Sequence, residues 1–234
     1  MSKSIYIEGN EEFFIQSLQD RLLRAGATLV NNSADSDFVI AVGEGFSGDI
    51  SIVSGNQESG NSEIVVRIHD LLSPEGKLRS WGDAILHDWA RSIMEESKIP
   101  KITDHSPRFW VHIRDVCDAL CILIMSDRIK KIENELNISG RRAWSADSII
   151  QEMSILWGRY SDSLNYSHTI QSLSSIPGPV TDTNDKQPKR PDLSAIHNCL
   201  RQCGSEGWHP LVPMRVSLME LSLIHISEPT RLEL

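Results

Sequence analysis

The chain has 234 residues, 40% of them hydrophobic and 24% charged, with a formal net charge of −9. That length suits one large α/β unit or a larger and a smaller lobe. The negative balance repels phosphate backbones and argues against non-specific nucleic-acid binding. No apolar run approaches the ~20 residues of a bilayer-spanning helix, and the start lacks a basic-then-apolar secretory pattern, so a cytoplasmic protein is expected.

In chain order, Ser4 to Glu8 alternates into Gly9 as a strand. Phe13, Phe14, Leu18, Leu22 and Leu23 follow at helical spacing, predicting a helix over 11–25 that stops at Gly26. Ala27 to Val30, Asp37 to Val42, Asp49 to Val53 and Glu63 to Ile68 read as four more strands. The run DFVIAV suits a strand buried on both faces, which points to parallel winding. Between the last two strands, Ser54 to Ser62 has loop composition and no helical period.

Trp81 to Glu96 reads as a helix stopped before Pro100, Val116 to Met125 as a strongly apolar helix, and Leu136 to Ile138 as a short strand. Ala146 to Trp157 reads as an amphipathic helix capped by Ser145 and ended at Gly158. Ser161 to Gln187 has loop composition, Leu193 to Cys203 is helical, and Gly207 to Pro210 is a turn. No internal repeat is present. Cys117 with Cys121 and Cys199 with Cys203 are i,i+4 pairs on apolar helical stretches, where packing explains them better than zinc does. No H-x-x-x-H or H-x-H spacing supports a metal site.

Several blocks resemble, in order, the extended short-chain dehydrogenases, the NAD-dependent nucleotide-sugar epimerases and dehydratases. IEGNEEFFIQSLQDRLLRAGATLV (Ile7 to Val30) is similar to the opening ITGGAGFIGSHL-type strand, turn and helix. VVRIHDLLSPEG (Val65 to Gly76) resembles an LRxxNVYGPG-like strand end. RFWVHIRDVCDALCILI (Arg108 to Ile124) resembles the RDFVHVDDVADALLLAL-like strand and helix. LNISGRRAWSADSIIQEM resembles a YNIGGGEPVSLLELAEL-like segment, and RPDLSAIHNCLRQCGSEGWHPLVPM (Arg190 to Met214) an RPDISKAKRLLGWEPKVPLEEGL-like tail.

The resemblance implies a Rossmann-like parallel sheet with flanking helices and a smaller C-terminal substrate lobe. Residues 1–80, continued by parts of 101–138, are expected to form the core. Residues 81–100 and 139–220 are expected to form the lobe. Within the resemblance, the family's G-x-x-G-x-x-G, which lets a pyrophosphate approach the helix N-terminus, reads Gly9, Glu12 and Ile15 here. Gly9 is therefore vestigial as a cofactor residue. Where the family places a ribose-binding acid, this chain has Asn31 and Asn32, more in keeping with a turn.

The family's catalytic Tyr-x-x-x-Lys pair is missing; the tyrosines are Tyr6, Tyr160 and Tyr166. No catalytic residue is assigned, and Ser54 and His112 read as structural. Positive charge persists at Arg67, Arg108, Lys189 and Arg190, which the resemblance implies as substrate-binding residues for a nucleotide-sugar diphosphate. The expected function is thus a family protein of nucleotide-sugar metabolism that is catalytically inactive or a partner subunit, with no cofactor unless NAD binding is retained. A homo-oligomer, or a hetero-oligomer with an active relative, is the expected assembly. An active epimerase, dehydratase or decarboxylase with atypical residues, and an unrelated α/β binding module, stand as alternatives.

Leu221 to Arg231, LSLIHISEPTR, resembles the conceptual translation of a transposon-end sequencing adapter. Residues 221–234 are accordingly expected to be a non-native tail that packs poorly.

Overall fold

The computed structural model describes residues 3–10, 12–74, 81, 84–101, 106–127, 135–167, 169–170 and 190–224. Its main sheet has six parallel strands in the order β2-β1-β3-β4-β5-β8. They are β1 (Ser4–Gly9), β2 (Thr28–Leu29), β3 (Phe38–Val42), β4 (Ile50–Ser54), β5 (Ile64–Ile68) and β8 (Glu135–Ile138). A separate parallel pair joins β6 (Leu71–Leu72) to β7 (Val111–His112). This is the expected α/β Rossmann-like sheet.

Helix α1 (Glu12–Arg24) buries Phe14, Leu18 and Leu22, the apolar stripe legible in the sequence. Gly26 ends the turn beyond it at φ +88°, a conformation costly for any side chain. Helices α3 (Ile113–Met125) and α5 (Ser194–Gln202) share one core with α1 and with Ile5, Ile40, Ile52, Val66 and Ile138 of the sheet. Cys117, Cys121 and Cys199 are buried in that core outside any disulfide, and burial pushes the Cys117 and Cys121 thiols up in pKa.

The other face is built differently. Parallel strands ordinarily need a crossover of about a dozen residues or more, most often a helix. Here β3 reaches β4 through residues 43–49 and β4 reaches β5 through 55–63, with no helix in either connection. Ala41, Ser51 and Val53 on this face are fully buried yet stand outside the main core.

A second core unites α2 (Ala84–Met94), α4 (Ala146–Leu164) and α6 (Met214–Ile224) through Leu86, Trp89, Ile149, Met153, Leu218 and Leu221. Ser145 caps α4 as expected, its side chain accepting the Ser148 N–H at 3.1 Å. Two boundaries differ from the sequence reading. Helix α4 runs past Gly158 to Leu164, held by the Trp157–Tyr160 stack, so Ser161 to Leu164 is helix rather than loop. Leu221, expected to pack poorly, is fully buried beside Leu218. An apolar residue three positions beyond another extends a helix's buried stripe whatever its origin. The rest of the expected tail, from 225 onward, lies outside the described residues.

Buried polar groups join the two cores. The Asp115 carboxylate accepts the Leu211 N–H at 2.8 Å and the Val212 N–H at 3.1 Å, fixing the segment that leads into α6. Burial raises its pKa, and the two backbone donors hold it back. His112 caps α3 by accepting the Arg114 N–H at Nδ1, which leaves its proton on Nε2. Glu220 of α6 pairs with Arg114 and lies 3.2 Å from His112 Nε2. Burial is the chief cause that lowers the His112 pKa to about 4; Glu220 opposes the shift and Arg114 adds to it.

Three outcomes follow for stability. Leu221→Ala should cost about 2–5 kcal/mol in chemical denaturation, as truncation of a buried leucine does. Asp115→Ala should cost about 1.5–3 kcal/mol, because it removes the charged acceptor of two backbone N–H groups. Below pH 6.5 the unfolded chain protonates its histidine first, so stability should fall as pH drops from 6.5 to about 4 and the His112 contribution should then level off. The loss is on the order of 3 kcal/mol. His112→Asn, which keeps an acceptor for the Arg114 N–H, should flatten that slope relative to the unsubstituted protein in a pH series of melting curves.

Candidate functional site

The carboxyl ends of β1 and β3 form the crevice where an open α/β sheet takes a ligand, because the strand order reverses there. Gly9 ends β1 at this point. A Cβ on Gly9 would sit 2.2 Å from the Val42 carbonyl oxygen, so close approach of β1 to β3 already requires a glycine there. Ile15, at the third glycine position of the resemblance, is half-buried and packs against the core.

Beyond Gly9 the sequence runs Asn10, Glu11, Glu12, and Glu44 is exposed just after β3. Glu44 adds a formal negative charge at the carboxyl end of β3, beside that crevice. Asn32 accepts the Ala34 N–H at 3.0 Å and caps a short 3-10 turn over Ser33–Asp35, a structural use of the side chain. The residues here do not fit a dinucleotide held in the family manner.

Ser54, at the end of β4, donates its backbone N–H to Gln57 Oε1 at 3.1 Å, as a turn residue does. Tyr166 is 92% exposed, Tyr160 stacks on Trp157 of α4, and Tyr6 lies on β1. Among the described residues no group of three or more His, Cys, Asp or Glu side chains is placed to hold a metal ion.

A different region gathers positive charge and aromatic surface. The segment after β8 turns back along the strand before α3: Gly140 N–H donates to the Phe109 carbonyl at 2.8 Å, and Arg108 and Trp144 exchange backbone hydrogen bonds at 3.0 and 2.9 Å. Trp110 and Trp144 thereby wall a cavity of about 380 Å³, which His112, Val212 and the start of α6 also line. The Arg108 guanidinium lies 5.5 Å from the Trp110 ring centroid, and that of Arg142 lies 6.0 Å from Trp144. Arg215 also lines the cavity, its charge engaged by the buried Glu152.

Arg141 borders this cavity and a second one of about 590 Å³ at the head of α5. The second holds Arg190, Asp192, His197, Asn198 and Trp208. Trp208 is fixed by its indole N–H on the Ser139 carbonyl at 3.0 Å, and its backbone N–H donates to His197 Nδ1 at 3.2 Å. Arg141 reaches His209 Nδ1 at 3.2 Å. Each of these histidines therefore accepts at Nδ1, which places a proton on Nε2. Asp192 accepts the Ser194 N–H at 2.9 Å, and that bond with the Ser194 side chain lowers its pKa, so it stays ionised.

Of the four cationic residues expected at a substrate site, the structure brings Arg190 into the second cavity and sets Arg108 over the Trp110 ring, outside the residues that line the first. Arg67 lines neither; it pairs with Glu135 at 2.7 Å and donates to the Gln57 carbonyl at 2.6 Å. Lys189 lies outside the described residues. Sequence reasoning missed Arg141, Arg142, Trp144, His197 and His209. The only hint was an Arg-Arg-x-Trp run where the resembled segment carries glycine.

No family model and no curated protein matches the sequence. Solved structures do match. WbmF from Bordetella bronchiseptica, in complex with NAD+ and UDP, aligns with a TM-score of 0.57 and 10% identity over 95% of this chain and 92% of its own. RMD from Pseudomonas aeruginosa, complexed with NADPH, aligns with 0.58 and 13% over 95% and 97%. A UDP-glucose 4-epimerase from Thermotoga maritima, with UDP-glucose, aligns with 0.56 and 11% over 94% and 97%. At these identities the likeness is one of fold, and this chain has the fold of the extended short-chain dehydrogenase-like epimerases and dehydratases.

Proposed function

We propose that this chain binds a nucleotide-sugar through its aromatic, arginine-rich cavities and does not carry out NAD-dependent chemistry. It acts as a non-catalytic relative of the epimerases and dehydratases, in the role of a partner or regulatory subunit. The observation that carries the reading is the cavity walled by Trp110 and Trp144, with Arg108 and Arg142 over the two rings and Arg141 at its border. Indole faces suit a flat base, and guanidinium groups suit a diphosphate through charge-assisted bonds. Arg190 in the adjoining cavity extends the cationic surface.

Two of the structural neighbours carry UDP or UDP-glucose, which supports this ligand class. The neighbours with NAD+ and NADPH set the contrast. In this chain the first turn reads Gly9, Glu12 and Ile15, and no Tyr-x-x-x-Lys exists to move a proton at the sugar.

Calorimetry separates the alternatives. UDP-glucose or a dTDP-sugar should bind and NAD should not. Arg108→Gln and Arg190→Gln should each weaken the sugar nucleotide about 10-fold or more, given ~1.5–3 kcal/mol per charge-assisted hydrogen bond. Micromolar NAD affinity, or sugar-nucleotide binding indifferent to both substitutions, would contradict the proposal.

A further inference from the structure

Three non-glycine residues among those described have a left-handed backbone: Asp70 at φ +53°, Glu96 at +50° and Tyr166 at +54°. Glu96 and Tyr166 each lie two positions beyond a helix end, where that conformation closes the last turn. Asp70 closes no helix. It stands between β5 and β6, at the carboxyl end of the sheet. Glycine would adopt this conformation without strain, so an aspartate here calls for a use of its side chain.

That use is found in the strand that walls the first cavity. Asp70 Oδ2 accepts the Phe109 N–H at 2.9 Å, and the Asp70 carbonyl accepts the Val111 N–H at 3.0 Å. One left-handed residue thus takes the donors on either side of Trp110, which lines the cavity. From the other side Gly140 donates to the Phe109 carbonyl at 2.8 Å, and a Cβ on Gly140 would sit 2.1 Å from the Trp110 carbonyl oxygen. The backbone around Trp110 is therefore held between Asp70 and a close approach that only glycine permits.

We infer that Asp70 is the positioning residue of the nucleotide-sugar site: its carboxylate and its left-handed carbonyl fix where the Trp110 ring, with the Arg108 guanidinium 5.5 Å from its centroid, meets the ligand. The identity of that ligand rests on the function proposed above; the hydrogen bonds do not.

Asp70→Gly keeps the backbone conformation and the bond to Val111 but removes the acceptor of the Phe109 N–H. UDP-glucose affinity should fall about 10-fold in calorimetry, the scale of one charge-assisted hydrogen bond. Asp70→Asn, which retains an acceptor oxygen and tolerates the left-handed conformation, should recover most of that loss. In a Trp110→Ala background Asp70→Gly should cost little further affinity, because the ring it positions is gone. Amide hydrogen exchange followed by NMR supplies a readout that needs no ligand. In Asp70→Gly the Phe109 N–H should exchange about 10-fold faster or more, while the amides of β1 and β3 keep their rates, as a local opening requires.

Additive losses in the double variant, unaltered UDP-glucose binding by Asp70→Gly, or unchanged Phe109 exchange would each overturn the inference. Should the unsubstituted protein bind no UDP-glucose, the function proposed above fails, and Phe109 exchange alone decides whether Asp70 positions the strand. Should Asp70→Gly not fold, Asp70→Ser, whose shorter side chain withdraws the acceptor, takes its place under the same criteria.

Discussion

The Asp115 carboxylate is the constraint on which the functional region depends. It sits at the start of α3, in the sheet-side core, and accepts the N–H groups of Leu211 and Val212 on the path from α5 to α6. That path lies between Pro210 and Pro213, neither of which has an N–H to give, so its two available donors converge on one acceptor. Burying a carboxylate is costly, and the paired donors offset the cost. With the segment fixed, Pro210 and Val212 become walls of the first cavity, and α6 is aimed so that Glu220 meets Arg114 and His112.

The main sheet shows a complementary economy. Helices α1, α3 and α5 cover one face, while short connections without helices lie between β3, β4 and β5. The cationic and aromatic surface lies beside the second core, where arginines ride on tryptophan faces. Such surfaces recognise a planar, anionic ligand without needing a redox partner in the crevice.

Much of this fold was legible because the signals were local. The run Phe38 to Val42 and the stripe Phe14, Leu18, Leu22 each specify an element through their own period, and Ser145 caps α4 by a bond three residues away. Most of what escaped depends on distant partners, the local Trp157–Tyr160 contact apart. The β6/β7 pair is two residues long on each side and exists only because Asp70 and Val111 meet across the chain. Gly158 reads as a stop, yet the Trp157–Tyr160 stack carries α4 through it. The site was half legible: Arg108 and Arg190 stand out by charge, whereas Arg141 and His209 acquire meaning only when residues far apart in sequence converge.

The central claim is that this chain holds a nucleotide-sugar with its tryptophans and arginines and takes no dinucleotide in the β1/β3 crevice. A crystal structure of the protein soaked with both UDP-glucose and NAD tests it most directly. The account predicts the nucleotide between Trp110 and Trp144 with its diphosphate near Arg108 or Arg141, and no dinucleotide at Gly9. A dinucleotide lying over Gly9 would contradict it.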